Sequence, residues 1–241
     1  MEQKQLFFSI IIPAHNEEKY IGNTLEKIIE QDYPTPKFEV FVIENGSTDK
    51  TYEIAKKFET GNVSVSVSGA KGVSLARNFG VGKISANSDW TIFLDADTLL
   101  ESDFLKELNI FLQKYSNKNY MIGTTSIRPF PDTRKARTWF SFWNFCHKIF
   151  KVSFAIQIVR SSLLGDIKYD VSMEMGEDLK FIKDARKFGK FFFLSTSQVS
   201  SSTRRFEKVG WWKLFVQWTI VANLPHFLQK NKLMRLLVSN L

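Results

Sequence analysis

Two acidic pairs and three arginines are the residues of this chain whose types and spacing could do chemistry. Asp95 and Asp97, one residue apart, close the apolar run Trp90-Thr91-Ile92-Phe93-Leu94. Such a run reads as a strand, and a strand ending in Asp-x-Asp carries both acids to the sheet edge where open α/β folds bind ligands. Hard oxygen donors at that spacing suit Mg²⁺ or Mn²⁺, and such an ion suits a diphosphate. The competing interpretation is an acidic pair that opens a loop and caps the next helix. A second pair, Glu177-Asp178, stands where a helix is expected to begin. Acids there are stabilised by the helix dipole, which also keeps a carboxylate ionised and makes it a weaker base. Arg77 and the adjacent Arg204-Arg205 offer guanidinium forks that match phosphate oxygens, or simply solvated surface charge. No Ser, Cys or His has a triad spacing, so no protein nucleophile is expected.

The elements that would position these residues follow from periodicity. Short apolar runs at 7–12, 38–43 and 90–94 and an alternating run at 63–67 predict strands, and helical spacing at 20–31, at 74–84 and near 102–115 predicts helices between them. Pro13 stops the first strand, and 44–49 is a turn that begins a helix running to about 58. Strands alternating with helices imply an α/β fold with a mixed, mostly parallel sheet flanked by helices. In the second half, 120–126, 156–159 and 191–194 read as strands and 177–188 as a helix. The stretch 138–154 is dense in Trp and Phe, 164–176 reads as a loop, and the chain is helical from 206 onward.

Composition narrows the partners. With 33 basic against 25 acidic residues the chain is formally +8 with a pI near 9.4, which favours anionic ligands. Its single cysteine, Cys146, excludes an internal disulfide and fits a reducing compartment. The apolar start at Leu6 is cut short by Pro13 and followed by His15-Asn16-Glu17-Glu18, so it reads as a first strand and not as a signal peptide. No stretch approaches about 20 clean apolar residues, so no membrane-spanning helix is expected. Nucleic acid is not an expected partner, because the basic residues are scattered and no recognition motif is present.

The motifs Ile11-Ile12-Pro13-Ala14-His15-Asn16-Glu17-Glu18, Glu44-Asn45-Gly46-Ser47-Thr48-Asp49, Ala76-Arg77-Asn78-x-Gly80, Asp95-Ala96-Asp97, Glu177-Asp178 and Arg204-Arg205 occur in an order that resembles the family 2 glycosyltransferases, from about Ser9 to Trp212. The resemblance implies the GT-A fold and an inverting transfer of a sugar from a nucleotide-diphosphate donor to a glycan or lipid-linked acceptor. It places Pro13, Ala14, Asn16, Glu17, Glu44, Asn45, Gly72, Arg77, Asp95, Ala96, Arg204 and Arg205 around the nucleotide sugar, with His15 shaping the wall. Asp97, with Asp95, would hold Mn²⁺ or Mg²⁺. Asp178 would be the general base with Glu177 orienting it or the acceptor, although the family accepts either residue. Which of Arg204 and Arg205 meets the diphosphate stays open.

Two departures from the family pattern keep a second class in view, a sugar-nucleotide-binding or regulatory protein without transfer activity. Asn45 replaces one of the family's paired acids, and Leu164-Gly165-Asp166-Ile167 stands where a Gly-Gly-Phe type run is usual. The division expected is a catalytic domain at 1–205 and a helical appendage at 206–241. There Trp211, Trp212, Phe215 and Trp218 mix with Lys208 and Lys213, which suits packing on the domain or an interfacial membrane anchor. The expected setting is cytoplasmic, with peripheral contact to the cytoplasmic face of a membrane if the anchor holds.

Overall fold

A computed structural model describes residues 4–69 and 71–240; Ala70, in the loop expected at 69–72, and Leu241, at the end of the appendage, lie outside the described residues. Alternation along the strands sets the architecture, because neighbouring strand side chains must face opposite ways. In β1 (Phe8–Ala14), Ile10 and Ile12 enter one core layer and Ile11 the other. In β2 (Phe38–Glu44), Val40 and Val42 oppose Ile43; β3 (Val63–Val67) adds Val63 and Val65 to the first layer; in β4 (Trp90–Leu94), Ile92 and Leu94 oppose Phe93. Helices cover both faces: α1 (Ile21–Ile29) follows β1, α2 (Thr51–Lys56) follows β2, and α3 (Val73–Val81) follows β3. The short β5 (Thr98–Leu100) and then α4 (Phe104–Lys114) follow β4. Burial on both faces is why these strands read as continuous apolar runs.

The chain continues through β6 (Tyr120–Thr125), β7 (Arg128–Phe130), α5 (Arg134–Phe150), β8 (Ile156–Arg160), α6 (Glu177–Ala185), β9 (Lys190–Leu194) and β10 (Val199–Ser202). It ends in α7 (Arg204–Val209), α8 (Trp211–Asn223), α9 (His226–Gln229) and α10 (Lys232–Asn240). The main sheet has seven strands in the order β3-β2-β1-β4-β8-β6-β9, and β8 alone runs against the others. The sequence order therefore reverses between β1 and β4, and the crevice at such a switch point is where α/β sheets bind ligands. A second sheet, β5-β10-β7, was not expected; its strands of three and four residues are too short for a periodicity to register. The aromatic stretch is the 17-residue helix α5, with Phe140, Trp143 and Cys146 facing inward at helical spacing. Among the described residues no helix is long and apolar enough to cross a membrane.

Two contacts bring α3 and β8 to the crevice. A methyl group on Gly80 would lie 2.5 Å from Ile11 Cγ2, so glycine there lets α3 rest on β1 with Arg77 one turn earlier, over the strand ends. Because β8 is antiparallel, its first residues stand beside the last of β4, Ile156 opposite Leu94 and Gln157 opposite Phe93.

Candidate active site

Arg77 is the hub of the crevice. Its side chain is only 6% exposed, yet one guanidinium nitrogen lies 2.6 Å from Asp178 Oδ1 and 3.7 Å from Glu177 Oε1, and another 3.3 Å from Asp95 Oδ1. Burial opposes the arginine's charge, but the surrounding carboxylates, Asp178 first, outweigh it and strengthen its hold on the proton. The two acidic pairs, 82 residues apart in sequence, therefore share one site. Burial raises Glu177 to about 7, helped by the charge of Asp178 and opposed by Arg77. Loss of hydration raises Asp95 to about 6 against the pull of Arg77. Its side chain is still 42% exposed to the cleft, so water reaching it moderates that shift. Asp178 takes its side-chain hydrogen bonds on Oδ1, from Arg77 and, at 2.7 Å, from Gln157 Nε2, and its side chain stays 26% exposed.

A second ion-pair set adjoins the first. Arg204 Nε lies 2.8 Å from Asp97 Oδ2 and its Nη2 2.5 Å from Glu17 Oε1, while the guanidinium stacks 4.4 Å over the Tyr20 ring. The small sheet builds this contact: Ser201 on β10 pairs with Thr98 on β5, and Ser202 N–H donates to Asp97 O at 3.2 Å. Loss of hydration raises both Asp97 and Glu17, against Arg204. Arg205 points elsewhere, exposed, 5.7 Å from the Trp218 ring and close enough for its charge to be felt at Asp95.

The carboxyl ends of β1 and β2 carry the remaining expected residues. Ala14 pairs with Glu44 and Pro13 with Ile43, so both loops leave the sheet side by side. Glu44 is buried and its carboxylate accepts the Ser47 N–H; Asn45 donates its backbone N–H to Ala14 O at 3.0 Å and accepts from Gly72 N–H at 3.4 Å. Gly72 holds φ +146°, a conformation that favours glycine, at the start of α3. Asn16, in the left-handed region at φ 56°, accepts from Thr48 N–H at 2.8 Å and so ties the two loops together. Ala96 is buried, its carbonyl accepting from Thr24 Oγ1 at 2.8 Å. Among the described residues, His15 Nδ1, Glu17 Oε2 and Arg77 Nε are buried near the crevice without a hydrogen-bond partner.

The donor chemistry of Asp95 and Asp97 fits a hard divalent cation. Among the described residues no group of three His, Cys, Asp or Glu is arranged to hold a metal unaided. Mg²⁺-type sites take one or two carboxylates and complete their shell with water and substrate phosphates, so two acids satisfy that requirement.

Periodicity and motif reading missed Gln157 and Tyr169. Tyr169 is buried, stacks on Phe181 at 4.1 Å, lies 4.9 Å under Arg77 and donates its hydroxyl to Gln157 Oε1 at 2.6 Å. Asn78 holds it there: Nδ2 donates to Tyr169 O at 2.8 Å and Oδ1 accepts from Tyr169 N–H at 3.0 Å. The available signals were a glutamine inside an apolar strand and the asparagine after Arg77.

A family model described as glycosyl transferase family 2 matches residues 9–162. The poly(ribitol-phosphate) beta-N-acetylglucosaminyltransferase TarS of Staphylococcus aureus is 28% identical over 185 residues, 74% of this chain and 32% of that protein. A dolichyl N-acetyl-alpha-D-glucosaminyl phosphate diacetamido-dideoxy-glucuronosyltransferase of Methanococcus voltae is 39% identical over 104 residues, 42% of this chain and 32% of that protein. The chain thus spans about a third of the length of either relative. In fold it matches a TarS fragment solved with UDP-GlcNAc, with a TM-score of 0.66, 21% identity, and coverage of 92% of this chain and 68% of that one. It also matches a mannosyltransferase of Pyrobaculum calidifontis solved with GDP-Man and Mn²⁺, with a TM-score of 0.70, 18% identity, and coverage of 94% and 63%.

Proposed function

The chain belongs to glycosyl transferase family 2, and from that premise we propose that it moves a sugar, with inversion, from a nucleotide-diphosphate donor to an acceptor hydroxyl. The observation that carries this reading is the double grip of Arg77, which holds the Asp178 carboxylate and the Asp95 carboxylate in one crevice. The acceptor oxygen attacks the anomeric carbon and loses its proton to Asp178 Oδ2. The bond from that carbon to the diphosphate breaks, and its electron pair leaves with the nucleoside diphosphate. Arg77 and Gln157 fix the other Asp178 oxygen, so the base is aimed without being fully occupied. Asp97, with Asp95, would hold Mn²⁺ or Mg²⁺. That ion would supply Lewis-acid neutralisation of the leaving diphosphate. Arg205, without an ion pair among the described residues, is the arginine we assign to the diphosphate; Arg204 supports Asp97 and Glu17. The loops at Pro13–Glu17 and Glu44–Asn45 with Gly72 would hold the nucleoside.

A UDP-sugar is the first donor to test, and a cell-envelope or lipid-linked glycan the acceptor class, by likeness to what the named relatives act on. The site would work peripherally, at the cytoplasmic face of a membrane. Nucleotide sugars should raise the melting temperature more with Mn²⁺ than without. Asp97→Ala should abolish that increment, and Asp178→Ala should keep it while losing transfer. Transfer by Asp178→Ala equal to that of the parent chain would move the base to Glu177. The pairing of Asp97 with Arg204 favours one second reading, a sugar-nucleotide-binding protein without turnover. Donor stabilisation with no Mn²⁺-dependent donor hydrolysis or transfer would select it.

A further inference from the structure

The positive charge of this molecule is segregated. Residues 134–151 hold five basic and no acidic side chains and residues 206–241 five basic and one acidic, so with a formal net charge of +8 the remainder is slightly negative. These two segments pack on each other: Trp139 on α5 meets Trp212 on α8 edge-on at 5.0 Å, Phe142 lies 5.6 Å from Phe215, and Trp143 lies 4.8 Å from Trp218. The contact buries Phe140, Phe206, Trp211 and Leu214 but leaves a second apolar set outside. Phe142, Phe145 and Ile149 recur at three and four residues, hence on one stripe of α5, and Phe145 is 62% exposed. Trp212, 71% exposed, and Val216 are one turn apart on α8. The two stripes meet where Trp212 touches both Trp139 and Phe215. A groove of about 570 Å³ opens beside this seam, with Lys135, Trp139, Glu207, Trp211, Trp212 and Lys213 in its walls, Lys135 Nζ 5.4 Å from the Trp211 ring and Glu207 Oε1 engaged by the Thr203 hydroxyl at 2.7 Å. α10 continues the pattern with Leu233 and Leu237 exposed beside Lys232, and is tied to α8 by the Gln217 Nε2 bond to Ser239 O at 3.2 Å.

Exposed large apolar side chains, indoles at their margin and a rim of lysines are the chemistry of a bilayer interface. We propose that α5 and α8–α10 form one docking face for a bilayer carrying anionic headgroups, with the indole–lysine groove seating a headgroup phosphate. A second copy of this chain would bring the same positive excess to the face, so self-association there sets like charges together. An anionic bilayer brings opposite charge and an apolar layer for Phe145 and Trp212. The face adjoins the crevice, since α7 joins Arg204 and Arg205 to α8 and Arg205 stands over Trp218. A lipid-borne acceptor would thus be met at the crevice's edge; that consequence rests on the transferase reading, whereas the docking does not.

Flotation of the full chain with phosphatidylcholine vesicles, with and without phosphatidylglycerol, reads the docking directly and needs no donor. Binding should be at least tenfold tighter to the anionic vesicles and should weaken with salt. Phe145→Ser combined with Trp212→Ser should lose it, as should Lys135→Glu combined with Lys213→Glu, with melting temperatures kept near that of the parent chain. Equal binding to both vesicles, no binding, or binding unchanged by the two double variants would overturn the proposal. So would a dimer in solution that either double variant dissolves. If vesicles bind as expected while no nucleotide sugar stabilises the protein, the transferase reading fails and the docking face stands.

Discussion

Neighbouring carboxylates with different partners can be given different work. Asp178 is bonded by Arg77 and Gln157, while Glu177 has no contact closer than 3.7 Å to Arg77 and is raised to about 7 by burial. A carboxyl raised in the folded state favours folding below its unfolded value, near 4.5, and loses that contribution as pH climbs through about 7. Glu177→Gln copies the protonated form. Its melting temperature should match the parent chain's near pH 4, exceed it above pH 7, and the gap should open between those limits. In a transfer assay the same variant should lose an inflection near pH 7 but keep activity, whereas Asp178→Asn should lose transfer at every pH. An active Asp178→Asn, or a Glu177→Gln with no transfer at all, would reverse the two roles. Gln157 and Tyr169 act on Asp178 from behind. A hydrogen bond to a charged group contributes about 1.5–3 kcal/mol, so Gln157→Leu should lower kcat by roughly ten- to a hundredfold. Donor-induced stabilisation should be unchanged, and Gln157→Glu should not rescue, because it adds a fourth carboxylate to the three already around Arg77. The acidic and arginine residues of this site were legible in sequence because their types suggest chemistry wherever they stand. Gln157 and Tyr169 were not, since their role exists only once the reversed strand β8 and the returning loop meet.

At the scale of elements, the loop ahead of α6 is strapped to the C-terminal helices. Asp170 lies 3.0 Å from Lys230 Nζ, Glu174 lies 2.8 Å from Arg235, and Glu174 N–H donates to Gln229 O at 3.2 Å. That loop carries Tyr169 and leads directly into Glu177-Asp178, so α9 and α10 brace the Glu177-Asp178 side of the crevice from outside. Exposed ion pairs contribute roughly 0.2–1 kcal/mol each, so the pair of substitutions Lys230→Ala and Arg235→Ala should raise the acceptor KM by about two- to thirtyfold at most. Donor binding should be unaffected, and amide exchange should quicken in 166–176. Unchanged exchange there would show that the loop holds itself. The strands and helices of the first half were readable because each buries a regular apolar face. The small sheet was not, because β5 and β10 hold mostly Thr, Leu and Ser over three or four residues, and only their pairing sets Arg204 against Asp97. Sequence placed those two residues in one family pattern, and the pairing supplies the contact.

For the molecule as a whole, net charge announced an anionic partner, but only the fold reveals that α5 and residues 206–241, far apart in sequence, carry the excess on one side. The same fold bears on the division expected at 205. Phe206, Trp211 and Leu214 are buried in the core cluster that also contains Phe140 and β1, with Phe206 5.4 Å from Phe140 and 4.8 Å from Trp211. We propose that 206–241 is an appendage in sequence only, and part of the catalytic domain in energy. Fully burying one such side chain contributes about 1.5–3 kcal/mol, so losing three forfeits several kcal/mol from a total that is typically about 5–15 kcal/mol. It also uncovers the α5 face that they seal. A chain ended after Arg205 should therefore melt far below the full chain or fail to fold, and should bind a hydrophobic dye at room temperature. If it instead melted at the same temperature and kept its response to nucleotide sugar and Mn²⁺, the last helices would be a separable module. Their ion pairs to Asp170 and Glu174 would then be contacts between two folded units.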